Sequence, residues 1–258
     1  MTDAWMPGAA RIRAETDGGA LKGGAPRTVW QALGFDPRIV SARSAAERLN
    51  QLNRPSHLVW NPLNGEIVQL IPVVRAGRSI GWPEGVEQLC RLSRDQLRQA
   101  ALRAEPPPGP FCEINAEGRL CIQICVVAFA WEPFTAGPLA GLREILDWLD
   151  SWGMARNWPA GRPAPFPHGH ASYRNRRLWA RGGHFGASQV PDWTASGPGA
   201  VDVERLTGTR QAAALRGPGV LVEAPAAPPG GRQPGSLTDL VDIFESDAAA
   251  ASSLTRVG

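Results

Sequence analysis

The sequence predicts an α/β fold in three layers, a central mixed β-sheet with helices against both faces. Three observations carry this. Residues 120–129, Leu-Cys-Ile-Gln-Ile-Cys-Val-Val-Ala-Phe, form a near-continuous apolar run, the mark of a strand buried on both faces. Leu139, Leu142, Ile145, Leu146 and Leu149 fall on one face at helical spacing, so that stripe has to be covered by another element. Extended and helical patterns also alternate along the chain, which is how a sheet comes to carry helices on its faces.

The elements follow in order. Residues 1–26 are Gly/Ala-rich without periodicity and are expected to be disordered. Residues 27–31 read as a short first strand. Ser44 with Glu47 three residues on has the capping-box pattern and is expected to open the first helix. Residues 57–61 and 66–71 read as a hairpin across Leu63-Asn64-Gly65, since Asn-Gly is the strongest short turn signal. Ser93 with Gln96 opens a further helix carrying Leu97 and Leu102, and 120–129 is the buried central strand. The helix through Leu149 ends at Gly153, glycine being the usual residue just past a helix. From 211 to 236 Pro, Gly and Ala again dominate, and disorder is expected. Residues 236–246 place Leu237, Leu240, Val241 and Phe244 on one face of an acidic amphipathic helix, too short to stand alone in water. The organisation is thus a disordered segment 1–26, one domain 27–210 and a tail 211–258.

Composition narrows the function. At 258 residues and 43% hydrophobic the chain is long enough for one domain with a substantial core. Lys22 is the sole lysine, and a net charge of +3 makes no basic stripe of the kind a nucleic-acid binder shows. The densest basic patch is Arg174, Arg176, Arg177 and Arg181, either a solvated face or a contact to acidic groups. There is no secretory-signal pattern and no apolar run near the ~20 residues of a membrane span. The expectation is a protein that is cytoplasmic as synthesised, with any export by a non-standard or phage route. Cys90, Cys112, Cys121 and Cys125 lack zinc-knuckle spacing and are expected to be buried free thiols, Cys121 and Cys125 facing the same side of their strand.

The most informative run is 183–202, Gly-His-Phe-Gly-Ala-Ser-Gln-Val-Pro-Asp-Trp-Thr-Ala-Ser-Gly-Pro-Gly-Ala-Val-Asp. It resembles, without a gap, the Gly-His-x-Gly-His … Asp-Pro-Gly run of the N-acetylmuramoyl-L-alanine amidase family, type 2, related to peptidoglycan recognition proteins, in its actinobacterial and phage branch. The resemblance continues through 56–62, 65–72, 121–127 and 158–161 and spans about 27–207. It implies the amidase sheet and a zinc site held by a His ending the first strand, a His of Gly-His-x-Gly-His and the Asp of Asp-Pro-Gly. Those positions hold Gln31, Ala187 and Gly197, and a carboxylate frequent in the central strand of relatives is Cys125. Zinc needs three or four N, S or O donors in tetrahedral array, so the resemblance implies a degenerate site with no catalytic residues and no cofactor.

Other residues bear on the same question. His57, Trp60, Asn115, His184 and Trp193 are the candidate lining of a surviving cleft. His57 is expected to be structural or cleft-lining, and His184 to support its loop. His168 and His170 sit in a Pro/Gly-rich loop and offer, with His184, a chance metal chelate. Ten Trp stand against one Tyr; most are expected in the core, while Trp193 either closes an emptied cleft or stacks on a sugar ring. No Gly-x-Ser-x-Gly elbow, P-loop or Cys-His pairing supports covalent hydrolysis.

Three readings stand. The first is an inactive amidase-like domain that binds peptidoglycan fragments or a protein partner. The second is an active zinc amidase recruiting other donors such as His57, His184 or Asp192. The third is a structural or interaction module of a phage or secretion particle.

Overall fold

The computed structural model describes residues 3–80, 110–193, 195 and 197–209. Six strands form one mixed sheet: β1 (Ala10–Arg11), β2 (Arg27–Ala32), β3 (Leu58–Trp60), β4 (Ile67–Gln69), β5 (Cys121–Val126) and β6 (Gly183–Gly186), in the order β1-β4-β3-β5-β2-β6. Only β3 and β4 run antiparallel; β2, β3, β5 and β6 are mutually parallel where they pair. Their carboxyl ends therefore share one edge of the sheet. The expected hairpin is present, with Gly65 at φ +79° in the turn between β3 and β4. β5, expected as the buried central strand, is buried at every position.

Side chains alternate between the two faces of a strand. One face carries Trp30, Leu58, Trp60, Ile122, Ile124 and Val126, and α2 (Leu142–Ser151) packs there through Ile145, Leu146 and Leu149. Gly153, at φ +72°, follows that helix, as expected. The opposite face is covered at one end by α1 (Ala42–Gln51), whose Ala42, Ala45, Ala46 and Leu49 meet Val59, Val68 and Cys125. At its other end Trp179, from α3 (Arg176–Arg181), meets Val29, Cys121 and Phe185. A short α4 (Val203–Thr207) follows and buries Leu206 in the α2 layer.

Two expectations are corrected. α1 is capped at Ser41, three residues before Ser44, because Ser41 Oγ accepts the Ser44 amide at 3.0 Å and the Glu66 carboxylate accepts the Ala42 amide at 2.8 Å. Residues 3–26 are also ordered against the sheet. β1 pairs in parallel with β4, Met6 is buried, and backbone bonds run from Ile12 to Gln69 and from Gly18 to Ala76. The small residues there allow close approach: a Cβ on Gly18 would lie 2.4 Å from the Gly77 carbonyl oxygen. The helix expected at Ser93, the tail 211–258 with its segment 236–246, Cys90 and the Cys112 side chain lie outside the described residues. Among the described residues no helix is long and apolar enough to cross a membrane.

Candidate functional site

Between the α1 and α3 layers, one face of β2 and β5 presents polar side chains to the interior. Gln31 Nε2 donates to Ser79 Oγ at 2.7 Å, and Ser79 donates through its amide (2.9 Å) and hydroxyl (2.7 Å) to Gln123 Oε1. Gln123 Nε2 donates to Asn115 Oδ1 at 2.5 Å, and Asn115 Nδ2 to the Ile80 carbonyl at 2.8 Å. Gln31, Ser79, Asn115 and Gln123 are all buried. A buried polar layer of this kind is tolerable because its members satisfy one another.

His57 closes the layer toward β3. Its Nδ1 accepts the Gln123 backbone amide at 3.0 Å, so Nε2 carries the proton and donates to the Arg75 carbonyl at 2.9 Å. Burial pulls its pKa down to about 4, so the ring is neutral. The Cys125 thiol, beside Ser56 and Ser79, is pushed up to about 11 by burial, and Cys121 to about 12. Both are free, buried thiols, facing the same side of β5 and unreactive as thiolates.

Gln31, Ala187 and Gly197 lie near one another at the carboxyl edge. In the parallel register Gly186 lies opposite Trp30, which puts Ala187 beside Gln31 at the carboxyl edge. Gly197 backs onto Ala32, where a Cβ would meet the Ala32 amide nitrogen at 3.5 Å, and its carbonyl accepts the Ser188 amide at 2.6 Å. Ala187 and Gly197 bring no donor atom. Gln31 spends its amide on Ser79. Ala187 packs instead in a cluster with Val29, Ile80, Val190 and Trp193.

The expected cleft is not assembled as an open groove. His57, Trp60, Asn115, His184 and Trp193 are all 5% exposed or less. They also divide between the two faces: His57 and Asn115 join the polar layer, whereas Trp60 and His184 point into the α2 side. Trp60 Nε1 donates to the Ala140 carbonyl at 2.7 Å. His184 Nδ1 accepts Trp30 Nε1 at 3.0 Å, and its ring stacks on Trp30 and Trp158 with centroids 5.9 and 6.3 Å away. Burial lowers its pKa to about 4 as well. Trp193 is buried in the same cluster as Ala187 and leaves no open face for a sugar.

The alternative donors are likewise apart. His57 and His184 lie on opposite faces, and Asp192 pairs with Arg176 at the surface. His168 and His170 are exposed, with rings 6.0 Å apart, and His184 is in the core. Among the described residues no group of three His, Cys, Asp or Glu side chains is placed to hold a metal ion. The basic patch is partly neutralised, Arg176 pairing with Glu117 and Asp192.

What lies open is the carboxyl edge itself. Trp30, Trp60, Trp148, Trp179 and Trp193 are buried, in line with the expectation that most Trp are core, whereas Trp131 is 49% exposed; it stacks on Phe129 at 4.3 Å and meets Phe166, itself 37% exposed, edge-on at 5.8 Å. Beside them a cleft of about 660 Å³ is lined by Arg162, Asp202 and Arg205 among prolines and small apolar residues. Signals for these residues were in the sequence: Trp131 is followed by Glu-Pro, and Phe166 lies between two prolines, both loop contexts.

No family model matches the sequence, and no curated protein matches it. Among solved structures the chain is similar to the endolysin N-acetylmuramoyl-L-alanine amidase LysCS from Clostridium intestinale URNW, at 9% identity and a TM-score of 0.41, over 81% of this chain and 98% of that one.

Proposed function

We propose that this protein is a non-hydrolytic relative of the peptidoglycan amidases that binds wall fragments or a protein partner without a metal. One observation carries the loss of hydrolysis. Gln31, Ala187 and Gly197 come together where the family motif expects three zinc ligands, and the neighbouring sheet face is a closed, neutral hydrogen-bond layer through Ser79, Gln123, Asn115 and His57. A zinc hydrolase needs protein donors plus an open position for the water it activates. Neither requirement is met by these side chains.

The binding half of the reading is supported by the motif run 183–202 and by the exposed aromatic residues and cleft at the carboxyl edge, where open α/β sheets bind ligands. A recognition surface is larger than a metal site, so losing the ligands does not erase it. Pull-down on purified sacculi tests it: the full chain is expected to co-sediment, and Trp131→Ala to reduce the bound fraction. If the chain stays in the supernatant at every protein concentration, the wall-binding reading gives way to that of an interaction module.

A further inference from the structure

We propose that the carboxyl-edge cleft is a binding site for a monoanionic carboxylate carried on an apolar body, such as the free C-terminus of a short peptide. The cleft holds about 660 Å³, within the range of small-molecule sites. Its charged lining is Arg162, Arg205 and Asp202. Two guanidinium groups against one carboxylate leave a single net positive charge, which matches one negative charge on a ligand.

The two arginines differ in readiness. Arg205 is held in place, its Nη1 donating to the Thr135 carbonyl, while Asp202 accepts the Arg205 amide at 3.0 Å and donates its own amide to Thr135 Oγ1 at 2.9 Å. Arg162 makes no hydrogen bond or ion pair with any described residue, although it lines the cleft. A guanidinium fork without a partner presents two parallel N–H donors, the geometry that takes a planar carboxylate in bidentate fashion. Pro163, Pro165 and Val201 form the rest of the wall used here. They offer apolar surface to whatever carries the carboxylate. Asp202 discriminates further, because a phosphate dianion would meet twice the repulsion from it that a carboxylate meets.

The proposal is drawn from the cleft alone. A failed sacculus pull-down leaves it standing, and its own failure leaves the pull-down unaffected. The test is a titration of the isotope-labelled full chain with N-acetyl-leucyl-alanine, with its C-terminal amide, and with inorganic phosphate, followed by amide chemical shifts. The free acid is expected to bind at millimolar concentration with shifts at 134–136, 162, 164 and 200–205. The amide, and Arg162→Gln titrated with the free acid, are each expected to bind about tenfold more weakly or worse. Because Arg162 is exposed and unpaired, that variant is expected to keep the fold, and its spectrum reports this directly. Equal binding of acid and amide, unchanged binding by Arg162→Gln, phosphate binding more tightly than the peptide, or no binding of the free acid would each overturn the proposal.

Discussion

His57 and His184 are the two residues whose ionisation reports most directly on the interior. Each is fully buried, each accepts a donor at Nδ1, and each has its pKa pulled to about 4 by burial. The unfolded chain, with imidazoles near 6.5, takes up protons that the folded chain refuses. Stability is therefore full above pH 6.5 and falls as pH drops from there toward 4, by about 1.4 kcal/mol per pH unit for each ring at most. Denaturant midpoints measured between pH 7 and pH 4.5 are expected to fall steadily, and His57→Gln to flatten that slope by roughly half. A pH-independent midpoint over this range would mean that the rings are solvated or already charged in the folded state. The role of His184 was partly legible: a structural histidine was expected, but supporting a loop and lining a cleft, whereas it sits in strand β6 between Trp30 and Trp158. That of His57 was half legible: its place at the start of the β3 segment was apparent, but the Ser79 and Arg75 segment that encloses it comes from a stretch without periodicity.

At the scale of elements, the strands and helices with strong apolar patterns emerged as expected: β2, the β3–β4 hairpin, β5 and α2. The start of α1 did not, because the local pattern favours Ser44, with Glu47 three residues on, whereas Glu66 reaches the first turn from the hairpin and the cap is Ser41. The N-terminal segment did not either. Its composition reads as disorder, yet Ala10 and Arg11 pair with β4 through the main chain and Gly18 packs against Ala76 and Gly77, contacts that leave almost no side-chain signal. Gly18→Val tests this element. A Cβ there would meet the Gly77 oxygen at 2.4 Å and Ala76 Cβ at 3.0 Å, so the segment has to move off. The expected cost is about 1–3 kcal/mol, with faster hydrogen exchange at the Ile12 and Ala14 amides, which bond to Gln69 and Leu70. Unchanged exchange at those amides would show that the segment is not held by close approach.

For the whole molecule, the central claim joins a sequence pattern to a filled interior. The strand register brings Gln31 and Ala187 together, with Gly197 against Ala32, and in the sequence only the family resemblance pointed to this grouping. The content of the space around them was not legible. Gln123 and Asn115 are ordinary polar residues in the sequence, and only the fold reveals that they complete a layer with Ser79 and His57. The expected groove failed for a related reason: a motif places residues along a chain but does not say which face of a sheet they take, and Trp60 and His184 take the other one. The most direct measurement is elemental analysis of the purified full chain incubated with zinc and desalted, read together with release of peptide from muropeptides. The account predicts far less than one equivalent of zinc and no release with or without a chelator. One equivalent of zinc with chelator-sensitive release would contradict it.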